Sequence, residues 1–306
     1  MENLQEMYQW GIDLIKVIQL IENPVLSAVL VFITTLGAGV FYMLALFFII
    51  WCVDDRMGIR LAVLTLVSAW ANSLLKVTCK QPRPYNLDPS VGRALESSYG
   101  FPSGHAQSVL VFFMSLATWL KKPAVYIAAI LITLVMSFTR LYLGVHFPTD
   151  IFGGWIAGLI VLGLYWIFAD RIIKVLAVAS IRFRLIISAA ASFVMLILCP
   201  SDLRMPGLIL GLGMGYSVMI HYFPFDVKKK KDGLKAGPLT LLLRYILGAA
   251  CAGLVMFFGS LFTDMLGEAS SAYRIAEFTV HGLVGGAATA LVPWLFIKTG
   301  LSVKKE

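Results

Sequence analysis

The chain has 306 residues, of which 59% are hydrophobic and 14% are charged, and its formal net charge at pH 7 is +8. A soluble domain is about half apolar and about a quarter charged, so this composition excludes an ordinary soluble protein and indicates lipid as the main solvent. The basic residues stand beside apolar segments rather than in one patch, which argues for membrane topology and against nucleic-acid binding.

Residues 1–24 form the first predicted element. Its apolar residues follow helical spacing, with Asp13 and Lys16 between them, which is typical of an amphipathic helix lying on a membrane surface. A frayed beginning of the first span is the alternative. A secretory signal is disfavoured because acidic residues stand where a basic segment would be needed.

Nine apolar segments approach the roughly 20 residues that cross a bilayer as a helix. They lie at about 32–53, 58–77, 103–120, 124–140, 150–168, 183–199, 206–222, 238–263 and 277–297. The sequence therefore predicts an all-α, polytopic membrane helical bundle, with segments 1–24, 25–175 and 176–306 as an interfacial helix, a core and a C-terminal transmembrane bundle.

The distribution of Lys and Arg predicts the orientation. If the spans alternate and the 54–60 loop is cytoplasmic, most of the basic residues near span ends, including the run at 228–235, lie on the cytoplasmic side. Three polar loop ends then meet at the opposite, extracytoplasmic surface.

The first loop end is KVTCKQPRP, from Lys76 to Pro84. Pro82 and Pro84 favour an extended exit from the preceding helix, so Lys76 and Arg83 can face the same surface. The second is FPSGH, at 101–105. A proline at the start of a helix and the free N–H groups there are typical of an anion site, and Gly104 allows close approach to the backbone.

The third loop end is TRLYLGVHFPTDIFGG, from Thr139 to Gly154. Here His146 follows Arg140 by six residues and precedes Asp150 by four. An aspartate at this spacing can hold one imidazole nitrogen and leave the other as a base or nucleophile. Together the three loop ends predict a phosphoryl-transfer site, because cations and backbone donors suit a tetrahedral anion.

These residues resemble the three signature motifs of the type 2 phosphatidic acid phosphatase superfamily, whose site vanadium haloperoxidases share. The motifs are K-x6-RP at 76–84, PSGH at 102–105 and R-x5-H-x3-D at 140–150. Thr139 stands where the family often has serine, and it keeps a hydroxyl group.

The resemblance implies that His146 is the nucleophile that forms a phosphohistidine, that Asp150 orients it, and that His105 serves as general acid and base. It also implies that no metal and no cofactor is needed, since cations and backbone donors hold the phosphate. These phosphate-binding residues are Lys76, Arg83, Ser103, Gly104 and Arg140. Three aromatic residues beside the motifs, Tyr85, Tyr99 and Phe101, are candidate substrate contacts.

The expected architecture is a six-helix phosphatase core followed by about three extra C-terminal spans. Small-residue runs such as GLILGLGMG and GLVGGAATA in those spans favour close helix packing, with a homodimer as one use. The expected activity is hydrolysis of a lipid phosphate or lipid diphosphate at a bacterial inner membrane. A lipid phosphotransferase, a sugar-phosphate phosphatase and a lipid transporter are the alternatives, and the transporter is the weakest because the charges cluster at one surface.

Overall fold

The computed structural model of the chain describes residues 2–231, 233–267 and 270–305. Asp232 of the basic run, and the outermost residues of the predicted segments 1–24 and 176–306, lie outside this description. The described residues form helices joined by short loops, with two isolated β-bridges and no strand, so the all-α prediction is confirmed.

Thirteen α-helices are present in the described part of the chain. Those up to residue 142 are α1 (Glu2–Gln19), α2 (Pro24–Thr35), α3 (Gly39–Phe48), α4 (Asp55–Cys79), α5 (Pro84–Leu87), α6 (Gly104–Leu120) and α7 (Pro123–Tyr142). Those that follow are α8 (Pro148–Val178), α9 (Ile181–Leu198), α10 (Arg204–Tyr222), α11 (Pro238–Asp264), α12 (Ser271–Gly286) and α13 (Val292–Lys298).

The helix starts follow from local sequence. Proline occupies the first position of α2, α7, α8 and α11, where its missing N–H would have no helical partner in any case. Asn23, Ser103, Ser180 and Ser270 precede α2, α6, α9 and α12, and each side chain accepts a hydrogen bond from a first-turn amide. At the other end of α6, Lys121 adopts a left-handed conformation and Pro123 follows, which stops that helix.

Fewer helices meet the length and hydropathy of a membrane span than the nine that the sequence predicts. Within the described residues six do so, or seven if α2 and the stretch Gly39–Val53, bent by 54° at a break, count as one. The helix α6 has only 17 residues, and the glycine-rich α10 is not among the six. The chain is nevertheless an integral membrane protein, because several of its helices are long and apolar.

The chain divides into two compact units. The first comprises Met1–Tyr42 and Val67–Phe168, and the second Met43–Leu66 and Ala169–Glu306. The sequence-based boundaries at 24 and 175 stay a prediction.

A buried polar network joins α4 to α6 within the first unit. The Asn72 side-chain amide donates to Gln107 Oε1 at 2.9 Å and to the Pro102 carbonyl at 3.3 Å. Gln107 in turn donates to the carbonyl and hydroxyl oxygens of Ser68, at 2.8 and 3.0 Å. Because buried polar groups lose free energy unless they are paired, this network holds the start of α6 in one register against α4.

The helix α1 packs its apolar face on the loops of the first unit. Ile12 and Ile15 are buried against Val91 and Phe147. At the end of the helix, Gln19 donates to the carbonyls of Val91 and Tyr142, both at 2.8 Å. The predicted helix therefore exists, and its position at a membrane surface stays a prediction.

Close glycine contacts and one buried arginine shape the second unit. Along α10 and α12 glycine faces glycine, so that a Cβ placed on Gly211 would lie 1.8 Å from the Gly282 carbonyl oxygen. This confirms that the small-residue runs allow close packing. The Arg244 side chain on α11 is completely buried and donates to backbone carbonyls at 226, 227, 229 and 301.

Candidate active site

His146, in the short loop between α7 and α8, is almost completely buried. Its Nδ1 lies 3.2 Å from Asp150 Oδ2, and its Nε2 lies 3.3 Å from Nη1 of Arg83. A guanidinium can only donate, so Nε2 must be the acceptor and the ring proton must sit on Nδ1, where it is donated to Asp150. The arrangement therefore leaves the lone pair of Nε2 aimed at a cation.

The His146 ring is held in its neutral form. Burial is the main cause that lowers its pKa well below the ordinary 6.5, and the positive charges of Arg83, Arg140 and Lys76 lower it further. His105 contributes in the same direction, because it lies close to His146. A neutral, buried imidazole beside three cations has the chemical character of a base or nucleophile rather than of an acid, and its role stays a prediction.

Asp150 is fixed by the start of α8. The carboxylate is fully buried, and its Oδ2 also accepts from the amide of Phe147 at 2.9 Å. The Asp150 carbonyl oxygen accepts from the amide of Ser103 at 2.9 Å, which ties this turn to the start of α6. The second and third loop ends are thus joined directly.

Three cations surround the imidazole. Arg83 precedes α5 and Arg140 lies in the last turn of α7; both are buried, at 1% and 2% exposure. Lys76, in the last turn of α4, is also buried and donates to the carbonyls of Tyr99 and Gly100. Arg140 donates through Nη1 to the Thr34 hydroxyl at 2.6 Å.

The start of α6 supplies the remaining polar groups. Ser103 is buried as the cap residue of α6. A Cβ on Gly104 would lie 3.0 Å from Asn72 Oδ1, so packing against α4 also favours a glycine there. His105 is half-buried, and its ring is hydrogen-bonded by the backbone of Thr34. The residues of all three sequence motifs therefore lie together in the first unit.

The three aromatic residues have different surroundings. The Tyr85 hydroxyl donates to the Glu96 carbonyl at 2.8 Å and accepts from the Glu96 amide at 3.1 Å. Tyr99 is exposed, while its carbonyl accepts from Lys76. Phe101 is half-buried. Their role as substrate contacts stays a prediction.

Sequence reasoning missed Glu96. Its carboxylate bridges Arg83 and Arg140: Oε2 lies 2.7 Å from Nη2 of Arg83, and Oε1 accepts from Nη2 of Arg140. The sequence shows only an acidic residue between the first two motifs, which does not indicate that its side chain pairs with both arginines. Tyr8 of α1 was also missed; its ring stacks on Phe147, with the ring centres 4.9 Å apart.

Within the described residues, no group of three or more His, Cys, Asp or Glu side chains could hold a metal ion. The polar groups around His146 are mostly donors. Such a site fits an anion whose oxygens accept several charge-assisted hydrogen bonds.

Two family models match the chain. The PAP2 superfamily model matches residues 58–174, and the model described as "PAP2 superfamily phosphatase, transmembrane extension" matches residues 203–305. The second match covers most of the C-terminal segment, where the sequence predicts about three extra spans.

Named relatives are similar to about half of the chain. Phosphatidylglycerophosphatase B of Bacillus subtilis is 33% identical over 171 residues, which cover 51% of this chain and 82% of that protein. The probable sphingosine-1-phosphate phosphatase of Dictyostelium discoideum is 31% identical over 172 residues, or 52% of this chain and 41% of that protein. The undecaprenyl-diphosphatase of Sulfolobus acidocaldarius is 26% identical over 49% of this chain and 73% of its own length.

Proposed function

This chain belongs to the PAP2 superfamily of membrane phosphatases, and from that premise we propose that it hydrolyses a phosphomonoester or diphosphate of a lipid through a phosphohistidine. The observation that carries the proposal is the position of His146, whose Nε2 lies 3.3 Å from Arg83 while Nδ1 is held by Asp150. A nucleophile inside a group of cations suits a phosphorus atom surrounded by anionic oxygens.

In the first step the lone pair of His146 Nε2 forms a bond to phosphorus, and the bond from phosphorus to the lipid oxygen breaks. His105 gives its proton to that leaving oxygen. Asp150 stabilises the positive charge that develops on the His146 ring, since Nδ1 keeps its proton.

In the second step a water molecule attacks the phosphohistidine and gives a proton to His105, which restores both histidines and releases inorganic phosphate. Lys76, Arg83 and Arg140, with Ser103 and the Gly104 amide, bind the phosphate oxygens in both steps. These fixed charges supply the stabilisation that a metal ion gives other phosphatases, so we propose a metal-independent reaction.

The substrate class follows from the membrane and the relatives. Relatives are named for sphingosine phosphate, phosphatidylglycerophosphate and undecaprenyl diphosphate, which share a phosphate group on an apolar tail. The bias of Lys and Arg supports a site on the extracytoplasmic face of the membrane, and we propose a bacterial inner membrane as its location. An alcohol in place of water in the second step would make the protein a phosphotransferase.

Phosphate release by the purified protein in detergent tests the proposal. The panel contains phosphatidic acid, phosphatidylglycerophosphate, undecaprenyl diphosphate, sphingosine phosphate and glucose 6-phosphate. We expect turnover of at least one lipid substrate, full activity in EDTA and inhibition by vanadate. We expect His146→Ala to abolish turnover, because no other side chain takes the place of Nε2.

His221→Ala is the matched control, since this exposed histidine lies in the last turn of α10 in the second unit. It should keep wild-type activity. Phosphate release by His146→Ala would remove the nucleophile from the proposal, and activity lost in EDTA and restored by magnesium would contradict the metal-independent mechanism.

A further inference from the structure

The segment 96–100 already satisfies most of the donors that we assign to phosphate. Lys76 donates to the carbonyls of Tyr99 and Gly100. Arg83 donates through Nε to the Ser98 carbonyl at 2.7 Å and through Nη2 to the Ser98 hydroxyl at 3.0 Å. A phosphate group that binds to these cations must therefore replace groups of the protein itself.

Glu96 is the charged member of this segment. Its two carboxylate oxygens are shared between the terminal nitrogens of Arg83 and Arg140, which lie on different loop ends. The two guanidinium groups are almost completely buried, whereas about a quarter of the Glu96 side chain is exposed, at 26%. A carboxylate between two arginines has the charge sign and the acceptor oxygens of a bound phosphate.

We propose that the Glu96 carboxylate occupies the position between Arg83 and Arg140 that the substrate's phosphate oxygens take, and that substrate binds by displacing it. The inference rests on the proposed function, since it assigns an occupant to the phosphate site. Leaving Glu96 in place beside a bound phosphate would bring like charges together in a buried site, which is costly.

A phosphate group can displace the Glu96 carboxylate from the two arginines. It carries more negative charge than a carboxylate and offers three acceptor oxygens instead of two. A donor is also ready for the additional oxygen: Nε of Arg140 is buried and has no hydrogen-bond partner among the described residues. An unpaired buried donor loses free energy until it finds an acceptor.

Displacement of Glu96 uncovers little apolar surface. Its neighbours Leu95 and Tyr99 are already 83% and 43% exposed. The backbone of Glu96 is held by the Tyr85 hydroxyl, through one hydrogen bond to its carbonyl and one from its amide. Few other contacts need to break for the carboxylate to leave the arginines.

Glu96 therefore determines which anions can bind between the two arginines. A ligand must offer more charge and more acceptors than a carboxylate to enter, so a phosphate or diphosphate is admitted and the carboxylate of a fatty acid is not. Glu96 also competes with the inorganic phosphate product, which weakens product inhibition.

Binding of inorganic phosphate to the purified full-length protein, measured by isothermal titration calorimetry, tests the inference without relying on turnover. We expect Glu96→Gln to lower the Kd of inorganic phosphate by roughly tenfold, because the competing state loses a charge-assisted interaction of about that strength. The matched control is Glu22→Gln, which removes a carboxylate from an exposed pair with Arg93 in the same unit. It should leave the Kd unchanged.

Tyr85→Phe is a second variant, and it changes no charge. It replaces Glu96→Gln in the test if Glu96→Gln does not fold. It releases the backbone of Glu96 and should also lower the Kd, by a smaller factor. An unchanged or higher Kd in Glu96→Gln would overturn the inference and make Glu96 a residue that positions the arginines. If Glu96→Gln does not fold, the same result in Tyr85→Phe would overturn it. An equal fall in Glu22→Gln would overturn it as well.

Phosphate release by the wild type and by His146→Ala, measured in parallel, distinguishes failure of the proposed function from failure of the proposal about Glu96. Turnover that depends on His146, combined with an unchanged Kd in Glu96→Gln, rejects the displaced carboxylate and leaves the phosphatase intact. Absence of turnover in the wild type rejects the proposed function, whatever the Kd values are.

Discussion

At the scale of single residues, the protonation of His146 is set by its two neighbours. Arg83 can only donate to Nε2, and the Asp150 carboxylate accepts from Nδ1. If these two neighbours were exchanged, the ring proton would sit on Nε2, and Nε2 would then have no free lone pair. Because the ring also lies among cations and is buried, addition of a second proton, which would give the charged imidazolium, is disfavoured.

The lowered pKa of His146 predicts the acidic side of the activity profile. Activity requires the neutral ring, so kcat/KM should fall only when the pH drops well below 6.5, the ordinary histidine value. The unfolded chain binds a proton at this ring in the window between the lowered pKa and 6.5, and the folded chain does not. Stability should therefore rise with pH across that window and level off above it.

The measurement is kcat/KM against pH, with the substrate's own ionisation determined by phosphorus NMR and divided out. Thermal unfolding at each pH separates loss of activity from loss of fold. An acidic midpoint at or above 6.5 would mean that His146 is not held neutral in the free enzyme.

At the scale of elements, α10 and α12 pack through glycine. Gly211 brings its backbone so close to Gly282 that any side chain would collide with a carbonyl oxygen. Inside a bilayer, helices gain from such contacts because lipid tails remove the usual hydrophobic drive for association. The pair is therefore sensitive to one added methyl group.

Gly211→Ala tests this sensitivity. We expect it to destabilise the protein by about 1–3 kcal/mol, because the added carbon forces the two helices apart. Gly253→Ala is the matched control: it lies within α11 of the same unit with open space around its Cβ position. That control should be neutral or slightly stabilising, since alanine favours helix. Thermal unfolding in detergent compares the two, and equal unfolding temperatures would contradict the prediction.

Sequence patterns predicted the helices and the three loop ends because each rests on local signals. Apolar segments mark the spans, and proline or serine marks the starts of α6 and α8. The break between α2 and α3 has a weaker signal, since only Gly37 and Gly39 interrupt an apolar run there. The position of Glu96 depends on a loop that folds back onto two arginines, so it could only be read from the structure.

At the scale of the whole molecule, each of the two units contains a different kind of buried polar contact. The first buries cations that face one another around His146. In the second, Arg244 donates to carbonyls from two segments that are distant in sequence, at 226–229 and at 301. The partners of Arg244 are backbone groups, which give no side-chain signal in the sequence.

Arg244→Met tests the second unit. We expect a loss of about 3 kcal/mol or more, because several buried carbonyl groups lose their donor together. Arg171→Met, at an exposed position on α8 in the same unit, is the control and should change little. Thermal unfolding and limited proteolysis within residues 226–231 measure the effect. If both variants unfolded alike, the buried arginine would contribute no more than a surface one.

The packing of α1 bears on how this protein can be shortened. Residues 58–174 match the family model, and a design guided by that match would discard the first helix. Such a shortened chain would lack Tyr8, whose ring stacks on Phe147 next to His146, and the Gln19 amide, which donates to two carbonyls. Expression trials should therefore keep α1 together with the residues that match the family model.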